Sequence, residues 1–273
     1  MTKISFALKI WFIIFSFSMP SFAQSEFKIS KLILSDGQVF TIPSGTEDIA
    51  FSNLEMKTGS QLVIPADTSH VNIVIDNGIF HKGSSIISQG SQGTNSSGVN
   101  VVGGTGQSAA SMTLKVNQAQ FLLAADGSDL GKPFFLVSSS GGNGGIGGPG
   151  ARGGDARRKS CNGADGGPAG SGGAGARGGT GGNGGSINFY VKLISGHPLI
   201  SNNEIALSSI AGEGGAGGRG GPGGAGAAEK CCGQVFGKCT YKRGGYGPGG
   251  TGPTGPTGFG GTSIEPVLEL DFE

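Results

Sequence analysis

GGNGGIGGPGARGGD, from Gly141 to Asp155, decides how this chain is read. Glycine fills two of every three positions, with a single substitution at Ala151. The same GGX period returns in 163–185 and 212–226, and 249–261 shifts to GGTGPTGPTGFGG. A flexible linker needs glycine but not phase. A period of three matches the polyproline II helix, which has three residues per turn and no internal hydrogen bonds. Its N–H and C=O groups point sideways, so strands packed together can satisfy one another. Close approach requires contacting edges without side chains, and two glycines in three clear two edges. Disorder and a collagen triple helix are the competing readings of such composition. Collagen wants glycine at every third place and proline at many others, and only 249–258 reads that way.

The interruptions favour an ordered bundle. They fall at 156–162, 186–211 and 227–243. If the four runs go up, down, up and down, the first and third interruptions share one end. That arrangement puts all four cysteines, Cys161, Cys231, Cys232 and Cys239, at one tip. The apolar segments 187–194, 204–210 and 264–270 all fall at the other end. Four cysteines in an exported chain predict two disulfides, with Cys161 bonded to one of the other three. Zinc is the alternative, but Cys231-Cys232 adjacency lacks the usual ligand spacing.

Residues 27–137 read as β structure, with alternation in runs such as Val71-Asn72-Ile73-Val74-Ile75. A weak repeat aligns 32–43, 54–65 and 78–88 through Gly37, Gly59 and Gly83. Strand, glycine turn, strand at a period near 20–25 residues is the mark of a β-solenoid coil. A sandwich of short hairpins would look similar. The glycine-rich, polar stretch 90–106 reads as a loop leaving the stack.

The expected fold is therefore an all-β, solenoid-like or sandwich N-terminal region followed by an antiparallel polyproline II/polyglycine II bundle, with no α-helix after the leader. The expected divisions are a signal peptide at 1–23, a β platform at 24–137, a glycine bundle at 138–262 carrying inserted strands at 186–211, and a returning strand at 263–273. The signal reading rests on Lys3 and Lys9, the apolar stretch 10–17 and the small residues Ser21 and Ala23 before the cut. That stretch is too short to span a bilayer, so the protein is expected to be secreted or at the cell surface. Removing the leader lysines leaves 17 basic residues (19 less two) against 18 acidic ones, so net charge names no partner.

The GGX blocks joined by variable loops resemble the polyglycine II bundles of T-even-type phage tail-fibre adhesins, and are also similar to the snow-flea antifreeze protein. The resemblance covers 141–262. For the adhesins it implies that loops at the bundle tip bind a receptor. The exported leader and the long β region lie outside it.

The tip segments are basic on an otherwise neutral chain. Arg157, Arg158 and Lys159 precede Cys161, while Lys230, Lys238, Lys242 and Arg243 surround the other cysteines. Phe236, Tyr241 and Tyr246 interleave. Arginine with tyrosine suits sulfate, phosphate or carboxylate groups and sugar rings. The expected function is an adhesin whose tip binds an anionic extracellular ligand such as a surface glycan, with self-association into a surface or matrix material as the alternative. Thr251, Thr254 and Thr257 form one regular row, too narrow for a flat ice face. His70, His81 and His197 have no metal-ligand spacing. No catalytic residue, cofactor or metal is expected, nor is nucleic acid a partner.

Overall fold

The structure, a computed structural model, describes residues 27–122, 134–158, 161, 167–195, 205–235, 238–239, 242–243 and 246–272. Among these it is all-β, with no helix. The leader lies outside the described residues.

Two parallel sheets face each other. One contains β1 (Phe27–Ile29), β2 (Leu32–Leu34), β4 (Asp48–Met56), β6 (His70–His81), β8 (Ser111–Leu122), β10 (Ile187–Ser195) and β16 (Val267–Phe272). Its order is β1-β4-β6-β8-β10-β16, with β2 also on β4. The second runs β11-β9-β7-β5-β3, built from β3 (Val39–Thr41), β5 (Gln61–Ile64), β7 (Ser84–Gln89), β9 (Phe135–Ser140) and β11 (Ile205–Ile210). The chain alternates between sheets, so each circuit lays one strand on each. This is solenoid winding, and the parallel registers exclude a sandwich of hairpins. The sequence repeat is the coil: Leu32 pairs with Leu54 and Ile49 with Ile73. Gly37, Gly59 and Gly83 each have positive φ (66°, 67° and 74°), the backbone form that only glycine adopts without strain. They stack, with Gly37 N donating to Thr58 O and Gly59 N to Lys82 O.

Alternate residues of each strand fill the space between sheets. Phe51, Phe80, Phe135 and Phe189 are fully buried there. Phe80 and Phe135 approach to 4.7 Å between centroids, and Phe80 and Phe121 to 5.2 Å. Phe135→Ala should therefore cost about 3–5 kcal/mol in denaturant unfolding, since it removes a ring that touches three others. A loss below about 1 kcal/mol would mean the two sheets do not share this core.

The glycine runs are insertions at one corner of the coil. Each leaves the end of a second-sheet strand and returns to the next first-sheet strand. After β7 the chain goes out along run 1 (90–96) and back along run 2 (103–110). After β9 it uses run 3 (141–156) and run 4 (167–186). After β11 it uses run 5 (211–226) and run 6 (247–263). The stretch 90–106 is thus not a loop leaving the stack but the first and shortest hairpin of the set. Its polar composition hid this, because runs at the border of the set need fewer glycines. Asn100, at its turn, has φ 59°.

Backbone hydrogen bonds join the runs at every third residue. Outgoing runs lie side by side in the same direction: Gly93 N donates to Asn143 O, and Gly144, Gly147 and Gly150 donate to Glu213, Ala216 and Arg219. Returning runs do likewise, Gly103 to Arg177 and Gly175 to Pro253. The two layers are knitted antiparallel, as in Gly145 N to Gly104 O, Gly179 N to Gly145 O, Gly215 N to Gly179 O and Gly258 N to Gly215 O, each 2.8 Å.

This pattern explains the sequence phase. In the GGX triplets of runs 3 and 4 the first glycine donates within its layer and the second donates across it wherever an opposing run lies alongside; in run 5, the last of its layer, only the second glycine donates. A methyl on Gly144 would overlap Gly179 O, and one on Gly145 would overlap Thr94 O. Proline falls where no donor is needed: Pro149, Pro222, Pro253 and Pro256 only accept. Run 6 has neighbours on one side alone, so one glycine in three suffices. Gly252, Gly255 and Gly258 abut run 4, whereas Gly250 and Gly260 have nothing nearer than 3.9 and 3.7 Å. Ala151 and Ala176 stand at second-glycine positions beyond the end of the short first hairpin, where the crowding stops.

Side chains at X set the register. Asn95, Asn143, Asp155 and Asn183 each accept the X-position amide of the next parallel run, from Ile146, Glu213, Ala225 and Thr262 at 2.7–2.9 Å. Asp155 also holds Arg152 at 2.6 Å within its own run. Arg177 lies 5.0 Å over the Phe259 ring.

Candidate functional site at the distal end

The site begins where runs 3 and 5 end. There Arg157 N donates to Gly167 O and closes the second hairpin. The third hairpin closes through short antiparallel pairs: Ala227 with Tyr246, β12 (Lys230–Cys231) with β15 (Lys242–Arg243), and β13 (Gln234–Val235) with β14 (Lys238–Cys239). Among its described residues the third interruption is thus paired as a ribbon.

A Cys161–Cys232 disulfide joins the two hairpins, with Cα atoms 5.3 Å apart across 71 residues of sequence. Cys231 is disulfide-bonded as well. The side chain of Cys239 lies outside the described residues. The bridge brings together the two basic segments singled out from sequence. Arg157, Arg158 and Lys230 are exposed, and the β12–β15 register sets Lys230 opposite Arg243 and Cys231 opposite Lys242. Tyr246 is half-buried at the base of the ribbon. Lys159, Phe236 and Tyr241 lie outside the described residues, and of Lys238, Lys242 and Arg243 only the backbone is described.

The bridge thus ties the exposed Arg157 and Arg158 of one hairpin to the exposed Lys230 of the other. Among the described residues no three metal-capable side chains cluster. No family model, curated protein or solved structure matches this chain. No helix among the described residues is long and apolar enough to cross a membrane.

A concave feature lies on the sheets, away from the runs' far ends. It is a shallow cleft of about 290 Å³ on the outer face of the first sheet, with Tyr190 between Lys115, Lys192, Glu269 and Asp271. Tyr190 registers with Lys115 on one side and Glu269 on the other. Sequence reading passed over it because these residues come from three strands separated by two glycine hairpins.

Proposed function

We propose that this is an exported adhesin in which the glycine runs form a polyglycine II spacer and the disulfide-pinned tip binds an anionic extracellular ligand, such as an acidic surface glycan. The observation that carries this reading is the Cys161–Cys232 bridge, which clamps the Arg157–Arg158 turn beside the Lys230–Arg243 ribbon. Several cations on one rigid end lose little entropy on meeting a polyanion, and arginine binds sulfate and carboxylate in a bidentate fork. The leader and the disulfides agree with an oxidising, exported setting.

Replacing Arg157, Arg158, Lys159, Lys242 and Arg243 together by serine should weaken binding to sulfated or uronate-rich glycans on an array at least tenfold. Binding by the unaltered protein should fall with added salt, as exposed charge contacts do. Unchanged binding by the serine variant would sink the proposal.

The alternative, self-assembly into a matrix, is weakened by the borders of the bundle. Ser91, Thr94 and Gln107 stand where runs 3 and 4 carry glycine, and a side-chain hydrogen bond of 2.7 Å links Ser91 to Gln107. Thr251, Thr254 and Thr257 occupy the places that Gly172, Gly175 and Gly178 hold in run 4, where a methyl would overlap run 5. A further run from a second copy would meet these side chains at either border.

A further inference from the structure

In one part of the bundle, backbone groups that continue a hydrogen-bonded series have no partner among the described residues. Run 2 lies in the seam between runs 3 and 4. In that seam Gly103, Gly106 and Ala109 donate to Arg177, Thr180 and Asn183 of run 4, while Gly142, Gly145 and Gly148 of run 3 donate to Gln107, Gly104 and Val101. Run 2 stops at Val101 and Val102, which are 51% and 57% exposed. Runs 3 and 4 continue together past it, still bonded to each other through Gly173 N to Ala151 O and Gly170 N to Gly154 O.

Above that step no described residue occupies the seam, and its hydrogen-bonding pattern persists. The next donors in the run 3 series are the amides of Ala151 and Gly154, and the next acceptors in the run 4 series are the carbonyls of Ala174 and Ser171. None of the four has a partner among the described residues. The seam also keeps its glycines there. A methyl on Gly173 would lie 3.2 Å from Ala151 N, and one on Gly170 3.1 Å from Gly154 N, directly over the two donors, with no other run crowding either.

We infer that this seam is a binding slot for an extended strand of Gly-x-y sequence from a partner protein, seated as a continuation of run 2. Run 2 states what the slot accepts. In its triplets Gly103-Gly104-Thr105 and Gly106-Gln107-Ser108 glycine recurs at the position that donates to run 4, where a methyl would overlap Gly145 O or Gly142 O of run 3; alanine takes that position only at Ala109, next to the sheets. Each ligand triplet then gives one N–H to Ala174 or Ser171 and accepts one from Ala151 or Gly154. The other two positions tolerate any residue, proline included, because run 1 does not reach this height. Proline favours the extended form before binding and so reduces the ordering cost. The slot holds about two triplets, roughly 19 Å. A sugar chain would find acceptors here, but it would not match donors and acceptors alternating at a three-residue period. This slot does not depend on the basic tip.

The test is a titration of the mature protein with a synthetic (Gly-Pro-Thr)5 peptide, followed by amide chemical shifts, with (Ala-Pro-Thr)5 as control. Saturable binding of the glycine peptide should move the Ala151 and Gly154 amides, and the alanine peptide should bind at least tenfold more weakly. Gly170→Ala with Gly173→Ala should abolish the shifts while leaving the urea midpoint near that of the parent. The tip serine variant should bind the peptide as the parent does. Equal binding of both peptides, no binding of either, or displacement of these amides by neutral oligosaccharide alone would each overturn the inference.

Discussion

Gly144→Val is expected to destabilise the bundle by about 4 kcal/mol or more, against less than about 0.5 kcal/mol for Ala216→Val. Both residues sit in GGX triplets one run apart. Gly144 faces run 4, and even its first side-chain carbon would overlap Gly179 O and crowd Gly215 N. Ala216 is exposed at an X position. Overpacking by a methylene or two ordinarily costs about 1–3 kcal/mol, because neighbouring side chains can shift. Here the neighbour is backbone held on both sides. Making room means lengthening Gly144 N to Glu213 O, Gly179 N to Gly145 O and Gly215 N to Gly179 O, all 2.8 Å. Each amide left without a partner adds about 1–3 kcal/mol. Urea midpoints of the two variants decide the matter. Equal tolerance would mean that the glycines are not contact positions and that the runs do not pack as described.

Removing the distal bridge is the second large effect. Cys161→Ser with Cys232→Ser should lower stability by about 4 kcal/mol, the chain-entropy value for a cross-link closing a loop of this size. The loss should appear in denaturant unfolding at neutral pH. It should also separate the Arg157 turn from the Lys230 ribbon and reduce binding of acidic glycan at least tenfold. Non-reducing peptide mapping of the parent should give Cys161–Cys232 and Cys231–Cys239. A stability change under about 1 kcal/mol would show that the hydrogen-bonded runs alone hold the tip, and would remove the main reason to treat it as one site.

Much of this was legible in the chain. The coil repeat was visible because Gly37, Gly59 and Gly83 stand at a turn that recurs every circuit with positive φ. The pairing of the basic segments followed from connectivity, since runs of similar length that alternate in direction must bring alternate interruptions to one end. The bridge fits one of the pairings expected for Cys161. Run 1 and run 2 were not legible. Ser91, Thr94 and Gln107 break the phase there, and a border run keeps its hydrogen bonds while shedding the glycines that only an interior run needs. Ala151 looked like a blemish in the repeat for the same reason: crowding is a property of neighbours, and neighbours are not written in the run itself.

Sequence by itself determined the local periods. Alternation of two gave the strands, the phase of three gave the runs, and positive-φ glycines gave the corners, because each is fixed by a residue's own backbone and side chain. Only the tertiary structure decided which run lies against which, and so which glycines are indispensable. It placed β10 and β11, which follow the second glycine hairpin, and β16, which follows the third, as the last layers of one core. It also left the seam above Val101 open. Those features depend on where one insertion ends relative to the next, a difference in length between distant segments that has no local signature.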